Sequence, residues 1–379
     1  MVIRWRTGVV SSLRRQWAGA VELDVQVAGT GVPALAYPAL TGAPEPGDEV
    51  LLNVSALELG LGTGGYALVV AIPGRLPPDP RGPGHLVKAR YTPLQATVAG
   101  ADEPGSPHHE VLREADDLGG MPVVVADLHS ALPAVLAGIY GRPQAGPQAP
   151  GSPGAAAATP ERAPRAVYVM LDGGALPAWF SRAAAALRAA GWLAGTITTG
   201  QSFGGDLETV TVHSGLLAAR HVLHAGVAVV TQGPGNLGTG TRWGFSGVAA
   251  GEAVNAAAVL GGRPVAALRI SDADPRERHR GISHHSLTAY GRVALARADV
   301  PVPELPGDFG AQVLAEARQL AGRHTLVRVG LAGLAEALAA CPVPLSTMGR
   351  GLDADRSYFL AAAAAGRHAA TLIADRPNP

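Results

Sequence analysis

The segment Asp274-Pro275-Arg276-Glu277-Arg278-His279-Arg280-Gly281-Ile282-Ser283-His284-His285-Ser286 packs three histidines, three arginines and two carboxylates into one short stretch. Imidazole moves protons near neutral pH and binds metals. Guanidinium grips carboxylates and phosphates. His279, His284 and His285 are therefore candidate ligands for a divalent metal, and Arg276 and Arg278 are candidate anion contacts. In a strand, His284 and His285 would point opposite ways. The spacing from His279 to His284 matches no established metal motif, so a solvated loop accounts for the same residues. Asp127 and His129, like Asp206 and Glu208, stand two apart and would share one side of an extended chain. Asp127, His129, Asp172 and Asp206 are the further candidates for acid–base work. His108-His109-Glu110 reads instead as a helix start after Ser106-Pro107.

Gly233-Pro234-Gly235-Asn236-Leu237-Gly238 fits the spacing of a dinucleotide fingerprint but departs from its context. Gly240, Gly244 and Gly247 keep the following chain irregular, and no acidic residue stands at the usual distance. The softer expectation is an anion cradle. Backbone N–H groups at Gly233, Gly235, Asn236 and Gly238 would supply it, with Thr239, Thr241 and Arg242 assisting. Ser130 and Ser202 lie outside any Gly-x-Ser-x-Gly elbow, which argues against a serine triad. Lys88 is the single lysine, so a Walker loop is excluded and a Schiff base would have to use that residue.

The elements that must position these residues follow a strand–helix rhythm. Apolar runs of strand length occupy 123–126, 166–171, 193–198, 227–231, 265–270 and 325–329. Helical segments at 133–139, 177–190, 216–223, 247–260, 309–320 and 358–365 alternate with them. This predicts a Rossmann-like α/β fold, its sheet mostly parallel with helices on both faces. Such sheets bind ligands outside the carboxyl ends of their strands. Five successive runs end in polar or glycine-rich loops, beginning at Asp127, Asp172, Thr199, Gln232 and Ser271. Aspartate and glycine also end strands for purely structural reasons. In residues 1–75, Val21, Leu23, Val25 and Val27 alternate with polar neighbours, which predicts a small antiparallel β-barrel. The α/β unit spans 84–379, interrupted at about 142–164 by a flexible insertion rich in Pro, Ala and Gly.

The chain has 379 residues, 47% hydrophobic, with 16% charged residues and no net charge. That balance points away from nucleic acid and membranes and is compatible with a homo-oligomer. Arg4, Arg6, Arg14 and Arg15 near Trp5 and Trp17 could grip single-stranded nucleic acid, but acidic residues offset them. Cys341 is alone, which excludes an intrachain disulfide and suits a reducing, cytoplasmic setting. The N-terminus lacks the apolar core of a signal peptide, and the alanine runs break before membrane-spanning length.

Several segments together resemble an uncharacterised bacterial family, the domain of unknown function 3866. They include Leu59 to Tyr66, His85 to Pro93, Asp172-Gly173-Gly174-Ala175-Leu176-Pro177, Phe203-Gly204-Gly205-Asp206, 233–247, 276–288 and Thr347-Met348-Gly349-Arg350. The resemblance covers nearly the whole chain outside 142–164. It implies one full-length unit in bacteria and brings no activity. The residues themselves suggest a metal-assisted hydrolase or transferase acting on a small anionic molecule, a phosphorylated one among the candidates. The cofactor is unknown beyond the divalent metal the histidines would suit. A non-catalytic ligand-binding or regulatory protein would use the same residues, and a nucleic-acid module would use the barrel instead.

Overall fold

The period-two pattern at the front of the chain closes on itself. The computed structural model describes residues 3–61, 64–79, 82–141, 164–172 and 176–374. Strands β1 (Trp5–Trp17), β2 (Ala20–Val27), β3 (Thr30–Ala36), β4 (Glu49–Asn53) and β5 (Ala67–Ala71) form a closed barrel in the order β1-β2-β3-β5-β4. Its pairings are antiparallel, apart from a parallel contact between β3 and β5. Val10, Leu23, Val25, Val50, Leu52 and Val69 fill the interior. Each such side chain contributes about 1.5–3 kcal/mol on burial. Two short helices, α1 (Pro38–Thr41) and α2 (Ser55–Glu58), join the strands.

The barrel is seated on the α/β part by named contacts. The Trp17 indole N–H donates to the Trp179 carbonyl at 2.6 Å, and Arg182 pairs with the buried Glu22 at 3.1 Å. Gly19 has φ +83°, and a Cβ there would fall 2.2 Å from the Trp179 ring, so this turn needs glycine. A small hairpin, β6 (Leu86–Lys88) and β7 (Ala96–Val98), follows. Lys88 is fully buried, donates to the carbonyls of Gly200 and Ser202, and lies 3.2 Å from Glu208. It ties the hairpin to the sheet.

The main sheet is built from β8 (Pro122–Val125), β9 (Ala166–Leu171), β10 (Gly195–Thr199), β11 (Leu207–Thr209), β12 (Val227–Gln232) and β13 (Arg263–Ala266). Beyond a two-stranded hairpin of β14 (Ile270–Ser271) and β15 (Gly281–Ile282), it adds β16 (Asp299–Pro303) and β17 (Thr325–Val329). The order is β11-β10-β9-β12-β8-β13-β16-β17, and every pairing is parallel. The expected α/β, Rossmann-like architecture is the one observed. Alternate residues of one strand feed opposite cores. Val123 and Val125 pack on one face, Val124 and Ala126 on the other. Covered on both sides, the strands read as unbroken apolar runs.

The helices are α3 (His109–Arg113), α4 (Leu132–Tyr140), α5 (Arg182–Ala189), α6 (Val212–His221), α7 (Ala249–Val259), α8 (His284–Thr288), α9 (Gly307–Ala317), α10 (Leu334–Ala339) and α11 (Arg356–Ala374). Residues of α6, α7 and α9 enter the core on one face, and those of α4, α5, α10 and α11 enter the core on the other.

Three elements differ from expectation. The run 265–270 is not one strand: β13 ends at Ala266, and the chain then leaves the sheet, carrying Arg269 inward. Strand β16 carries Pro301 and Pro303, which weaken the strand signal by removing ladder donors. Strand β11 is only three residues long and follows a glycine turn. The insertion expected at 142–164 lies outside the described residues from 142 to 163, as do Gly62-Thr63 and Gly173-Gly174-Ala175 of the quoted motifs.

Candidate functional site

Because the sheet is parallel, the loops that follow its strands open at one edge. The connection leaving β8 runs into α4 on one face, and that leaving β12 runs into α7 on the other. These strands are neighbours, so a crevice opens between their carboxyl ends, as at the switch point of doubly wound sheets. A cavity of about 940 Å³ occupies it. Its walls come from 128–130 after β8, 232–236 after β12, Arg269 and His279 after β13, the start of α5, and 343–348. Arg15 reaches its rim from the barrel.

The three histidines of the dense segment converge. His279, His284 and His285 each offer a ring nitrogen, and the three nitrogens lie within 4.8 Å of one another. Ligand nitrogens on a tetrahedral ion, with metal–nitrogen bonds near 2.1 Å, stand about 3.4 Å apart. Side-chain rotation would have to close that difference for the three to share an ion. The expected conflict between adjacent His284 and His285 does not arise, because they begin helix α8 rather than a strand. Ser283 caps that helix by accepting from the His285 N–H, and its hydroxyl meets His279 Nδ1 at 2.7 Å. One serine thus sets both the helix start and the ring of His279. Phe245 stacks on the His285 ring at 3.8 Å.

Two of these imidazoles, His279 and His284, are held neutral. Burial pushes the His279 pKa down to about 2, aided by the charges of Arg269 and Arg276. Burial pushes that of His284 down to about 4, aided by His285 and Arg278. A neutral imidazole offers its lone pair to a metal with no proton to displace. Among the described residues, five buried side-chain atoms lack a hydrogen-bond partner, and three of them are Asp127 Oδ2, Gln232 Oε1 and His284 Nε2. Buried polar atoms are rarely left so, and a bound group is one of the ordinary reasons.

Beside the histidines stands an arginine–carboxylate network. Asp274 is buried and meets Arg276 at 2.8 Å, Arg350 at 3.2 Å and Arg269 at 3.3 Å. Burial works against its charge. Hydrogen bonds from Arg276 and the charges of Arg276 and Arg269 outweigh that and hold its pKa well below the carboxylate range. Asp355 pairs with Arg350 at 2.9 Å and accepts from Ser271. Arg269 and Arg276 are thereby fixed along the cavity wall, which Arg278 also lines.

Gly233, Gly235, Asn236 and Gly238 line the same cavity. Asn236 Oδ1 accepts from Gln232 Nε2 at 2.9 Å and from Ser246 at 2.8 Å, which fixes the loop. Thr239 turns away to Thr241 and the Gly244 carbonyl. His129 also lines the cavity, between Ser181 and Tyr168. Burial lowers its pKa to about 4.

Asp172 and Asp206 do not join the group. The Asp172 carboxylate caps the backbone at Gln201 and Ser202. Asp206 accepts from the Thr196 N–H, because the chain doubles back after β10 so that β11 runs parallel to it. That return carries Asp206 toward the amino end of the strand. The basic residues of the barrel face acidic partners: Arg4 and Arg6 meet Glu58, Arg14 meets Asp24, and Arg15 meets Glu22.

A family model of 334 residues' span, 33–366, matches the chain from within β3 to within α11. The chain belongs to the family described as protein of unknown function (DUF3866). The matched span includes the histidine cluster, the arginine network and the glycine loop. No curated protein matches the chain. No solved structure matches it either. Among the described residues, no helix is long and apolar enough to cross a membrane.

Two residues that line this cavity escape a reading of motifs: Arg269 and Ser181. Arg269 left a trace, since a charge inside the run Val265-Ala266-Ala267-Leu268-Arg269-Ile270 is seldom buried without partners. Ser181 left none, being 52 positions from the histidine it meets.

Proposed function

We propose that this chain is an enzyme that uses His279, His284 and His285 to hold a divalent metal and hydrolyses or transfers a group of a small anionic substrate. The observation that carries the reading is the convergence of three ring nitrogens within 4.8 Å, two of the rings being held neutral. A metal held there would polarise an oxygen of the substrate or lower the pKa of a bound water. The chain's own residues supply the rest. Arg278, Arg276 and the N–H groups near Gly233 and Gly235 would bind the anionic part, phosphorylated or carboxylated. Asp127 would orient His285, from which it stands 3.4 Å away. The barrel (1–75) and the α/β unit (84–379) would act as two units of one enzyme, the barrel contributing Arg15 to the rim. Calorimetric titration of Zn²⁺ into chelator-stripped protein tests the reading. Binding of one ion per chain, lost in His284→Ala, is the expected result. No binding, or unchanged binding in that variant, would contradict it. A non-catalytic binding protein remains the second reading, favoured by the same cavity; it predicts phosphate binding that no metal alters.

A further inference from the structure

His129 Nε2 lies 2.7 Å from Ser181 Oγ, and both residues line the cavity. The far ring nitrogen, His129 Nδ1, lies 3.1 Å from the Tyr168 hydroxyl. That hydroxyl also faces the Gln232 carbonyl at 3.2 Å, which the Thr231 hydroxyl reaches at 2.7 Å. In the tautomer with its proton on Nδ1, the ring presents the Nε2 lone pair to the serine. Ser181 also caps helix α5 by accepting from the Ala184 N–H at 2.9 Å. A cap alone does not call for a histidine on the same hydroxyl. A serine hydroxyl donating to an imidazole whose far nitrogen is held by a third group is the arrangement of an activated nucleophile.

We infer that Ser181 is a catalytic nucleophile and His129 its general base, acting on a small carboxylic ester that carries an anionic group. Ser181 Oγ bonds to the ester carbonyl carbon and its proton passes to His129 Nε2. The carbon–oxygen bond to the alcohol breaks, and His129 returns the proton to that alcohol. Water then attacks the acyl-serine, again giving its proton to His129, and Ser181 recovers it as the carboxylic acid leaves. The inference rests on the cavity being an active site, but it requires no metal.

The test is labelling of the full chain with a fluorophosphonate, which bonds to activated serines with loss of fluoride, in metal-loaded and chelator-stripped protein alike. Peptide mapping of the wild-type adduct is expected to find one modification, on Ser181. Ser181→Asn keeps a capping side chain and should take no label. His129→Gln should be labelled about a hundredfold more slowly or worse. An unlabelled wild type, an adduct on another residue, or an unchanged rate in His129→Gln would overturn the inference. Because the wild-type map needs no variant to fold, the result is readable on its own. Labelling of a chain that binds no Zn²⁺ would sink the metal reading and leave this one standing; Zn²⁺ binding without labelling would do the reverse.

Discussion

His285 Nδ1 lies 3.4 Å from Asp127 Oδ2 and 3.4 Å from Arg269 Nη1, so two neighbours of opposite character face one ring nitrogen. If Nδ1 carries its proton toward Asp127, Nε2 is free for a metal. If Nδ1 accepts from Arg269, Nε2 carries the proton and cannot ligate. A bound metal would require the first state, and the carboxylate favours it. Asp127→Asn removes that charge and should weaken Zn²⁺ binding by about 10–100-fold, measured by competition against a chelator of known affinity. Unchanged affinity would mean that Asp127 does not orient the ligand.

Asp274 holds three guanidiniums, of which Arg269 is buried with it. Removing one partner of a buried pair leaves the other charge uncompensated. Asp274→Asn should therefore cost about 3 kcal/mol or more, read as a lower urea midpoint. A variant as stable as the wild type would mean that water or Asp355 compensates Arg269 in full.

Arg278 lines the cavity, whereas the Thr239 hydroxyl is engaged by Thr241 and Gly244. With inorganic phosphate as the probe, Arg278→Ala should weaken binding roughly tenfold or more, since hydrogen bonds to charged groups contribute about 1.5–3 kcal/mol. Thr239→Ala should leave it unchanged. Equal losses in both variants would move the anion site away from the wall described.

Acidification should destabilise the metal-free protein. Unfolded histidine titrates near 6.5. Burial lowers His279 to about 2, and His284 and His129 to about 4, in the folded chain. Between those values and 6.5 the unfolded chain binds more protons, so stability rises with pH through this window. It is fully present above about 6.5 and is lost as the pH falls toward 4. Thermal denaturation of chelator-treated protein should give a Tm that drops from pH 7 to pH 5, and less steeply in His284→Gln. A flat profile would mean that these rings are as free to protonate as in the unfolded chain.

The architecture was readable because parallel strands covered on both faces leave long apolar runs, as at 166–171 and 227–232. Where proline thinned the signal, as in Asp299–Pro303, the strand was missed. The loops of β8, β12 and β13 could be named from sequence, but their adjacency could not, since β12 enters the sheet between β9 and β8 late in the chain. The same order separates Asp206 from the cluster, because β10 lies beyond β9. The pairing of His284 with His285 looked unfavourable only while the segment was taken as extended; the cap at Ser283 turns it into a helix start. Ser181 and His129 meet through tertiary packing alone, which no local pattern records.

Metal content of the protein purified without a histidine tag, by elemental mass spectrometry, tests the three-histidine centre most directly. About one divalent transition-metal ion per chain is expected, lost when His279, His284 and His285 are each replaced by alanine. A wild-type chain that holds no such ion even after dialysis against Zn²⁺, or variants that retain it, would contradict the metal centre.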